Sequence, residues 1–472
     1  MQVAPIVERF FSPLLTQEQE SDKLEHIRAN TILDSKTHYF DWTASGLAYR
    51  DIESRIDEIL PFYANTHSFS STHAKIMSAL YEEAKVHLAE CLELDSSFAL
   101  LACGSGASGA IKKFQELTGL YIPPQSLEIL QKQGFLQTLS VQEKSALARV
   151  FISSYEHHSN EISLRQGLCE VLKIALDSQG RFSLQDLQSQ LQLSTSSTRL
   201  IGAFCLASNV SGLLSPYKEI ARIFRQYNNS ILAFDAASAS SHLNIPSRYF
   251  DALFLSPHKL LGGVQACGLL AIKRSLLDSQ NPSFSGGGTI EYASNQGHLY
   301  VQDMVHRQEA GTPPILGLLR ACLSFKLRNE VGLDLIRRRE KILSQILLHE
   351  LKAIPALELY GDWHSAQSQH NLGIISFNIA CVSPFDLSLV LSERFGIQTR
   401  AGCSCAGPYG HYLMELDSLH IDSQSTKTLY ELYQNPSKRP GWIRISLHYA
   451  HSLEDIEYLV DSLQKSIKLL RR

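Results

Sequence analysis

Lys259 stands in the run Ser256-Pro257-His258-Lys259-Leu260-Leu261-Gly262-Gly263, directly after the apolar stretch Ala252-Leu253-Phe254-Leu255. An earlier apolar stretch, Ile231-Leu232-Ala233-Phe234, ends in Asp235. Both stretches read as buried strands, so the chain delivers an amine and a carboxylate at two strand ends. The amine suits a Schiff base with an aldehyde, and the carboxylate suits the proton of a pyridinium nitrogen. Those are the demands that pyridoxal phosphate makes on a protein.

Such a cofactor also needs a phosphate cradle, a group against its ring face and a clamp for the substrate carboxylate. Gly104-Ser105-Gly106-Ala107-Ser108-Gly109-Ala110 follows the strand Ala99-Leu100-Leu101-Ala102-Cys103 and opens a helix. Free amides at a helix start attract an anion, which makes Gly106, Ala107 and Ser108 phosphate candidates; Gly-Ser-Gly also makes ordinary turns. In Tyr155-Glu156-His157-His158-Ser159-Asn160, a strand-end His157 suits the ring face, and an ordinary surface or core histidine pair is the alternative. Asn209, in Ala207-Ser208-Asn209-Val210-Ser211-Gly212, suits a cofactor hydroxyl or a substrate carboxylate, or else caps a helix before Pro216. Arg444, between Ile443 and Ile445, projects opposite its apolar neighbours. It suits a bidentate carboxylate clamp or a surface salt bridge.

A second chemical segment is Gln398-Thr399-Arg400-Ala401-Gly402-Cys403-Ser404-Cys405-Ala406-Gly407-Pro408. A glycine-flanked cysteine on a loop, after an arginine that favours the thiolate, has the setting of a mobile nucleophile. A Cys-x-Cys metal pair and an inert pair are the alternatives. No second Cys or His pair at zinc spacing accompanies it, so no metal is expected.

The elements that must position these groups alternate. A helical face runs through Ile76, Leu80, Ala84, Leu88 and Leu92, and strands are predicted near 99–103, 148–153, 199–206, 231–234, 251–255 and 267–272. That order implies a mostly parallel sheet covered by helices on both faces. After Gly311-Thr312-Pro313-Pro314 the pattern changes to a long helix over 315–350, strands at 373–378 and 441–447, and helices at 384–394 and from 453. The expected organisation is an α/β large domain over 46–314, with a helical insertion at about 117–147. A smaller C-terminal α+β domain follows over 315–472, with an insertion at about 409–440. An N-terminal segment, 1–45, is expected to pack with the small domain.

The chain has 472 residues, 44% hydrophobic and 19% charged, with a formal net charge of −4. That balance gives no reason to expect nucleic acid or an anionic membrane as a partner. No apolar run approaches a membrane span, and Met1-Gln2-Val3-Ala4-Pro5 lacks the pattern of a secretory leader. The 9 cysteines are odd in number, and Cys103, Cys205 and Cys267 sit in apolar runs, as reduced core thiols do. A cytoplasmic enzyme is expected.

Taken in order, these segments resemble the class V aminotransferase family of fold-type I pyridoxal phosphate enzymes, and most nearly its cysteine desulfurase and selenocysteine lyase branch. The resemblance is carried also by Tyr39-Phe40-Asp41-Trp42-Thr43-Ala44-Ser45, Asn65-Thr66-His67, Asp235-Ala236-Ala237, Gly286-Gly287-Gly288-Thr289 and Arg307-Gln308-Glu309-Ala310-Gly311-Thr312-Pro313. It covers nearly the whole chain. It implies that Lys259 carries the cofactor as a Schiff base and moves the α-proton, Asp235 holds the pyridinium proton and His157 stacks on the ring. Ala107, Ser108, Ser256 and His258 hold the phosphate. A residue matching Thr289 completes the phosphate site of the neighbouring subunit, which implies a homodimer. Asn209, Arg400 and Arg444 lie near the substrate, and Cys405 matches the persulfide-forming cysteine.

Where the family often has Gln or His this chain has Ser238, and where the family loop often has His it has Cys403. The implied reaction takes sulfur from L-cysteine, giving L-alanine and a persulfide on Cys405 that passes to an acceptor protein. Cys403 is a candidate to receive that persulfide or to cap Cys405 under oxidation. The rival readings are a selenocysteine lyase, aminotransferase, epimerase or other β-lyase of the same fold, and a non-catalytic sulfur carrier or regulatory protein.

Overall fold

The computed structural model describes residues 3–66, 70–134, 147–194, 198–277, 279–365, 370–416, 434 and 440–471. Its centre is a seven-stranded sheet of β1 (Phe98–Cys103), β2 (Ala148–Ile152), β3 (Cys169–Lys173), β4 (Leu200–Cys205), β5 (Ser230–Asp235), β6 (Ala252–Leu255) and β7 (Gly268–Lys273). The spatial order is β1-β7-β6-β5-β4-β2-β3. β7 runs antiparallel to both neighbours, and the remaining pairs are parallel.

Alternation within each strand divides the side chains between two cores. Leu101, Val150, Ile201, Ala233 and Phe254 meet Ala110, Ile111 and Phe114 of the helix Gly106–Leu117. Phe151, Phe204, Leu232 and Leu255 pack on the other face with the helices Thr72–Cys91 and Ile315–Val331. All six predicted strands of this sheet are present. The edge strand β3 escapes the sequence pattern because its residues are half-buried or exposed without a clear apolar alternation.

The second sheet has four antiparallel strands, β8 (Leu357–Tyr360), β9 (Ile374–Ile379), β10 (Arg400–Gly402) and β11 (Trp442–Ser446), in the order β8-β9-β11-β10. The helices Leu333–Lys352, Pro384–Phe395 and Leu453–Leu470 enclose its core around Phe377, Leu391, Ile443, Ile445 and Leu463.

The single helix expected over 315–350 is two helices, broken at Gly332, whose φ of 98° an L side chain rarely adopts. Ile315–Val331 belongs by packing to the large core, as do Leu335 and Ile336 of the next helix, whereas Leu343, Leu347 and Leu351 enter the small one, so the change of core falls between Ile336 and Leu343 rather than after 314. Residues 1–45 divide likewise. Phe10, Phe11, Leu14 and Leu15 join the large core, while His38–Tyr39 pairs in parallel with Ile397–Gln398 and Phe40 enters the small one. Of the 117–147 insertion, the helix Pro124–Lys132 is seen, and 135–146 lie outside the described residues. Of 409–440, the helix Gly407–Leu413 covers the start, and 417–433 and 435–439 lie outside them. No helix among the described residues is long and apolar enough to cross a membrane.

Candidate active site

A cavity of about 380 Å³ opens at the C-terminal ends of the parallel strands, where the two sheets meet. It is lined by Gly106, Ala107, Ser108, His157, Asn209, Asp235, Ser238, Ser256, His258, Lys259, Arg400, Cys405 and Arg444. Every candidate named from the sequence is therefore there except Thr289 and Cys403. Thr289 is buried beside the hairpin Ile290–Ser294/Gly297–Tyr300, and its hydroxyl donates to the Gly286 carbonyl at 2.8 Å. Cys403 is not among the lining residues; its thiol donates to the Pro440 carbonyl at 3.2 Å. No group of three or more His, Cys, Asp or Glu among the described residues is arranged to hold a metal ion.

The helix Gly106–Leu117 starts at the cavity wall without a side-chain cap from Ser105. Gly106 has a φ of 55°, and a Cβ there would stand 2.7 Å from His258 Cε1 and 3.0 Å from Ser256 Oγ. Glycine therefore makes the room in which helix amides, the Ser256 hydroxyl and His258 converge. Ser256 Oγ accepts the Ala107 N–H at 2.8 Å, so its own hydrogen remains available for an anion. Ser108 Oγ lies 2.6 Å from Ser159 Oγ, a neighbour that the sequence did not mark.

Lys259 sits in a short 3-10 turn after β6, and burial lowers its pKa to about 8 against the opposing pull of Asp235. Asp235, at the end of β5, accepts the Ala237 N–H at 2.9 Å, and burial raises its pKa. His157 lies just before the helix His158–Arg165, and its Nδ1 accepts the Ser159 N–H at 3.1 Å. The remaining ring proton is thereby placed on Nε2. Burial, followed by Lys259 and His158, lowers the His157 pKa to about 4, so the ring is neutral.

Arg400 and Arg444 bring the second sheet to the cavity wall. Arg444 is 2% exposed, which decides against a surface salt bridge. Its guanidinium donates to the Asn209 carbonyl at 2.9 Å and to Asp41 Oδ1 at 2.8 Å, while its buried Nε has no hydrogen-bond partner. Arg400 Nε lies 3.2 Å from the other Asp41 oxygen. Asp41 was visible in the sequence only as part of a motif; an acidic residue at a strand end was the available signal.

Asn209 donates through Nδ2 to the Ser404 carbonyl at 2.7 Å and so fixes the cysteine loop, a role the sequence did not give it. Its Oδ1 and the Ser404 hydroxyl are buried without partners. Ser404 and Cys405 have φ values of 49° and 58°, two consecutive left-handed residues without a glycine. Each costs about 1–2 kcal/mol, so surrounding contacts must hold the loop. Cys405 is exposed and its neighbour Ala406 buried.

The helix start that Ser105 leaves without a side-chain cap, the glycine-made cradle, a buried carboxylate opposite a lysine and three orphaned polar atoms, Asn209 Oδ1, Ser404 Oγ and Arg444 Nε, fit an anionic, aromatic cofactor carrying an amino acid. The model of the family described as aminotransferase class-V matches residues 135–459. The chain belongs to the class V aminotransferase family.

Relatives of this class V aminotransferase-family protein include one named probable cysteine desulfurase from Pyrococcus abyssi, 25% identical over 95% of this chain and 98% of the relative. One named cysteine desulfurase from Shigella flexneri is 30% identical over 68% of this chain and 71% of the relative. The cysteine desulfurase structure from Thermococcus onnurineus NA1 superposes with a TM-score of 0.74 at 23% identity, covering 94% of this chain and 98% of that one. A cysteine desulfurase from Escherichia coli gives 0.70 at 21% identity, over 94% and 98%. These likenesses establish the class V family fold, with a mostly parallel sheet in the large domain and an α+β small domain.

Proposed function

We propose that this protein is a pyridoxal phosphate-dependent cysteine desulfurase. The observation that carries the reading is that Lys259 and Cys405 line one cavity together with the buried Arg444. The relatives named cysteine desulfurase support it.

Pyridoxal phosphate, when bound, supplies an electron sink for the carbon that bears the amino group. Lys259 is its covalent anchor and the base that moves the α-proton, a task that a pKa near 8 suits. Asp235 keeps a proton on the ring nitrogen. His157 covers the ring face. The Ser108 amide, with Ser256 and His258, would hold the phosphate, joined by the Ala107 amide if it gives up Ser256 Oγ, and Ser238 would offer its hydroxyl to a cofactor oxygen. Arg444 and Arg400 take the substrate carboxylate, with Asn209 beside them. The Cys405 thiolate attacks the substrate sulfur and the carbon–sulfur bond breaks. The β-carbon gains a proton, so L-cysteine and the Cys405 thiol become L-alanine and a Cys405 persulfide. The sulfur is oxidised by two electrons and the carbon is reduced by two.

A cytoplasmic homodimer that passes its persulfide to an acceptor protein completes the proposal, supported by the family resemblance. For Thr289 to serve the neighbouring subunit, its hydroxyl has to give up the Gly286 carbonyl.

The test is incubation of the holoenzyme with L-cysteine and assay of alanine and of the mass of the Cys405 peptide. Equal alanine and an added 32 Da on that peptide are expected (the mass of one sulfur). Replacement of Cys405 by Ala should cut sulfur release by about a thousandfold or more and spare α-proton exchange. Sulfur release that survives Cys405→Ala would overturn the role of Cys405, and transamination without sulfur release would favour an aminotransferase.

A further inference from the structure

His158 grips the nucleophile loop from two sides. As the first residue of the helix His158–Arg165, it has a backbone N–H without an intrahelical partner, and that N–H donates to the Cys405 carbonyl at 2.9 Å. Its Nε2 accepts the Gly407 N–H at 2.7 Å. The two bonds bracket Cys405 and close against the helix Gly407–Leu413. A Cβ on Gly407 would stand 3.0 Å from Nε2, a tight contact that would push the imidazole back by a few tenths of an ångström, so glycine favours the close approach. An accepting Nε2 puts the ring proton on Nδ1, the opposite tautomer from His157. The adjacent histidines thus divide the work. His157 lines the cavity, and His158 is not among its lining residues and faces the loop.

We propose that His158 is a positioning residue for Cys405, holding the left-handed Ser404-Cys405 segment over the cavity while touching neither cofactor nor substrate. The consequence for sulfur transfer rests on the desulfurase reading; the grip itself does not. Without the imidazole acceptor, the loop keeps the Asn209 bond to Ser404 and the His158 backbone bond, and loses its hold on the residues after Cys405. Proton movement by Lys259 should be untouched, because Lys259 and Asp235 come from other elements and the neighbouring His157 keeps its own bond from the Ser159 N–H.

The experiment compares His158→Phe, which keeps a ring without an acceptor, with His158→Gln, whose side-chain oxygen reaches a similar position. Five quantities are read on holoenzyme: hydrogen exchange of the Gly407 amide, alkylation of Cys405 by iodoacetamide, kcat and KM for alanine formation from L-cysteine, and α-deuterium exchange into L-alanine in heavy water. In His158→Phe, Gly407 exchange and Cys405 alkylation should each rise about tenfold and kcat should fall about tenfold, with KM and α-deuterium exchange within about twofold of wild type. His158→Gln should recover most of the loss. Unchanged Gly407 protection in a folded His158→Phe protein would overturn the proposal, as would equal losses of sulfur transfer and α-deuterium exchange. If wild type releases no sulfur, the function proposed above fails, and Gly407 exchange still decides the grip.

Discussion

Arg400 and Arg444 stand directly opposite each other across the antiparallel strands β10 and β11, and Asp41 is bonded to both guanidinium groups. Like charges paired across a ladder repel, and the Arg444 charge is almost wholly removed from water. Asp41 offsets both costs while leaving Arg444 Nε open to a second carboxylate.

Replacement of Asp41 by Asn keeps the shape and removes the charge. The fold should lose about 3 kcal/mol, because Arg444 becomes a buried cation without its counterion. The midpoint and slope of chemical unfolding check this. A stability equal to wild type would mean that the buried guanidinium is neutralised by something else.

Uptake of pyridoxal phosphate by apoprotein should depend on the protonation of Lys259, since only the neutral amine attacks an aldehyde. With the pKa lowered to about 8, the rate should rise between pH 7 and 9 and level off well below the ordinary lysine range. Asp235 opposes that lowering, so Asp235→Asn should move the midpoint further down. Stopped-flow absorbance of the bound cofactor reads both; a wild-type midpoint near 10.5 would refute the assignment.

Two buried histidines make the fold acid-sensitive. His451 Nδ1 accepts the His448 N–H and its Nε2 donates to the Tyr39 carbonyl, so its ring is neutral. Burial lowers its pKa to about 4, and lowers that of His448, stacked 3.8 Å from Trp42, well below the ordinary value. The unfolded chain takes up protons at these sites below about pH 6.5 and the folded one does not, so stability is kept above that pH and lost as pH falls toward 4. The loss is about 1.4 kcal/mol per pH unit for each such group. Thermal unfolding of apoprotein should show the decline, and His451→Gln should make it shallower.

Residues whose roles follow from their own strand were legible from the sequence. Asp235 ends an apolar strand, Lys259 closely follows one, and Arg444 interrupts isoleucines, so one residue of alternation turns it away from the core. Asp41 and His158 were not legible, because their roles are set by partners 403 and 249 residues away. Short-range patterns carry no information about which distant group will meet a given side chain. The break at Gly332 was missed for another reason: a single glycine in a strongly apolar helical pattern does not reveal whether its φ will be positive.

The bond between Asp41 and Arg444 also orders the assembly of the protein in time. Synthesis runs from the N-terminus, and the strands that carry the lysine, its carboxylate and the phosphate cradle are complete by Lys273. Asp41 must wait for a partner made 403 residues later. Closing so long a loop is among the slower events a chain undertakes. On the function proposed above, a ribosome-bound or truncated chain that stops short of residue 400 therefore holds the elements of a cofactor pocket without Cys405 or the paired Arg400 and Arg444. On that same reading, the capacity to react with sulfur arrives only with the final stretch of the polypeptide.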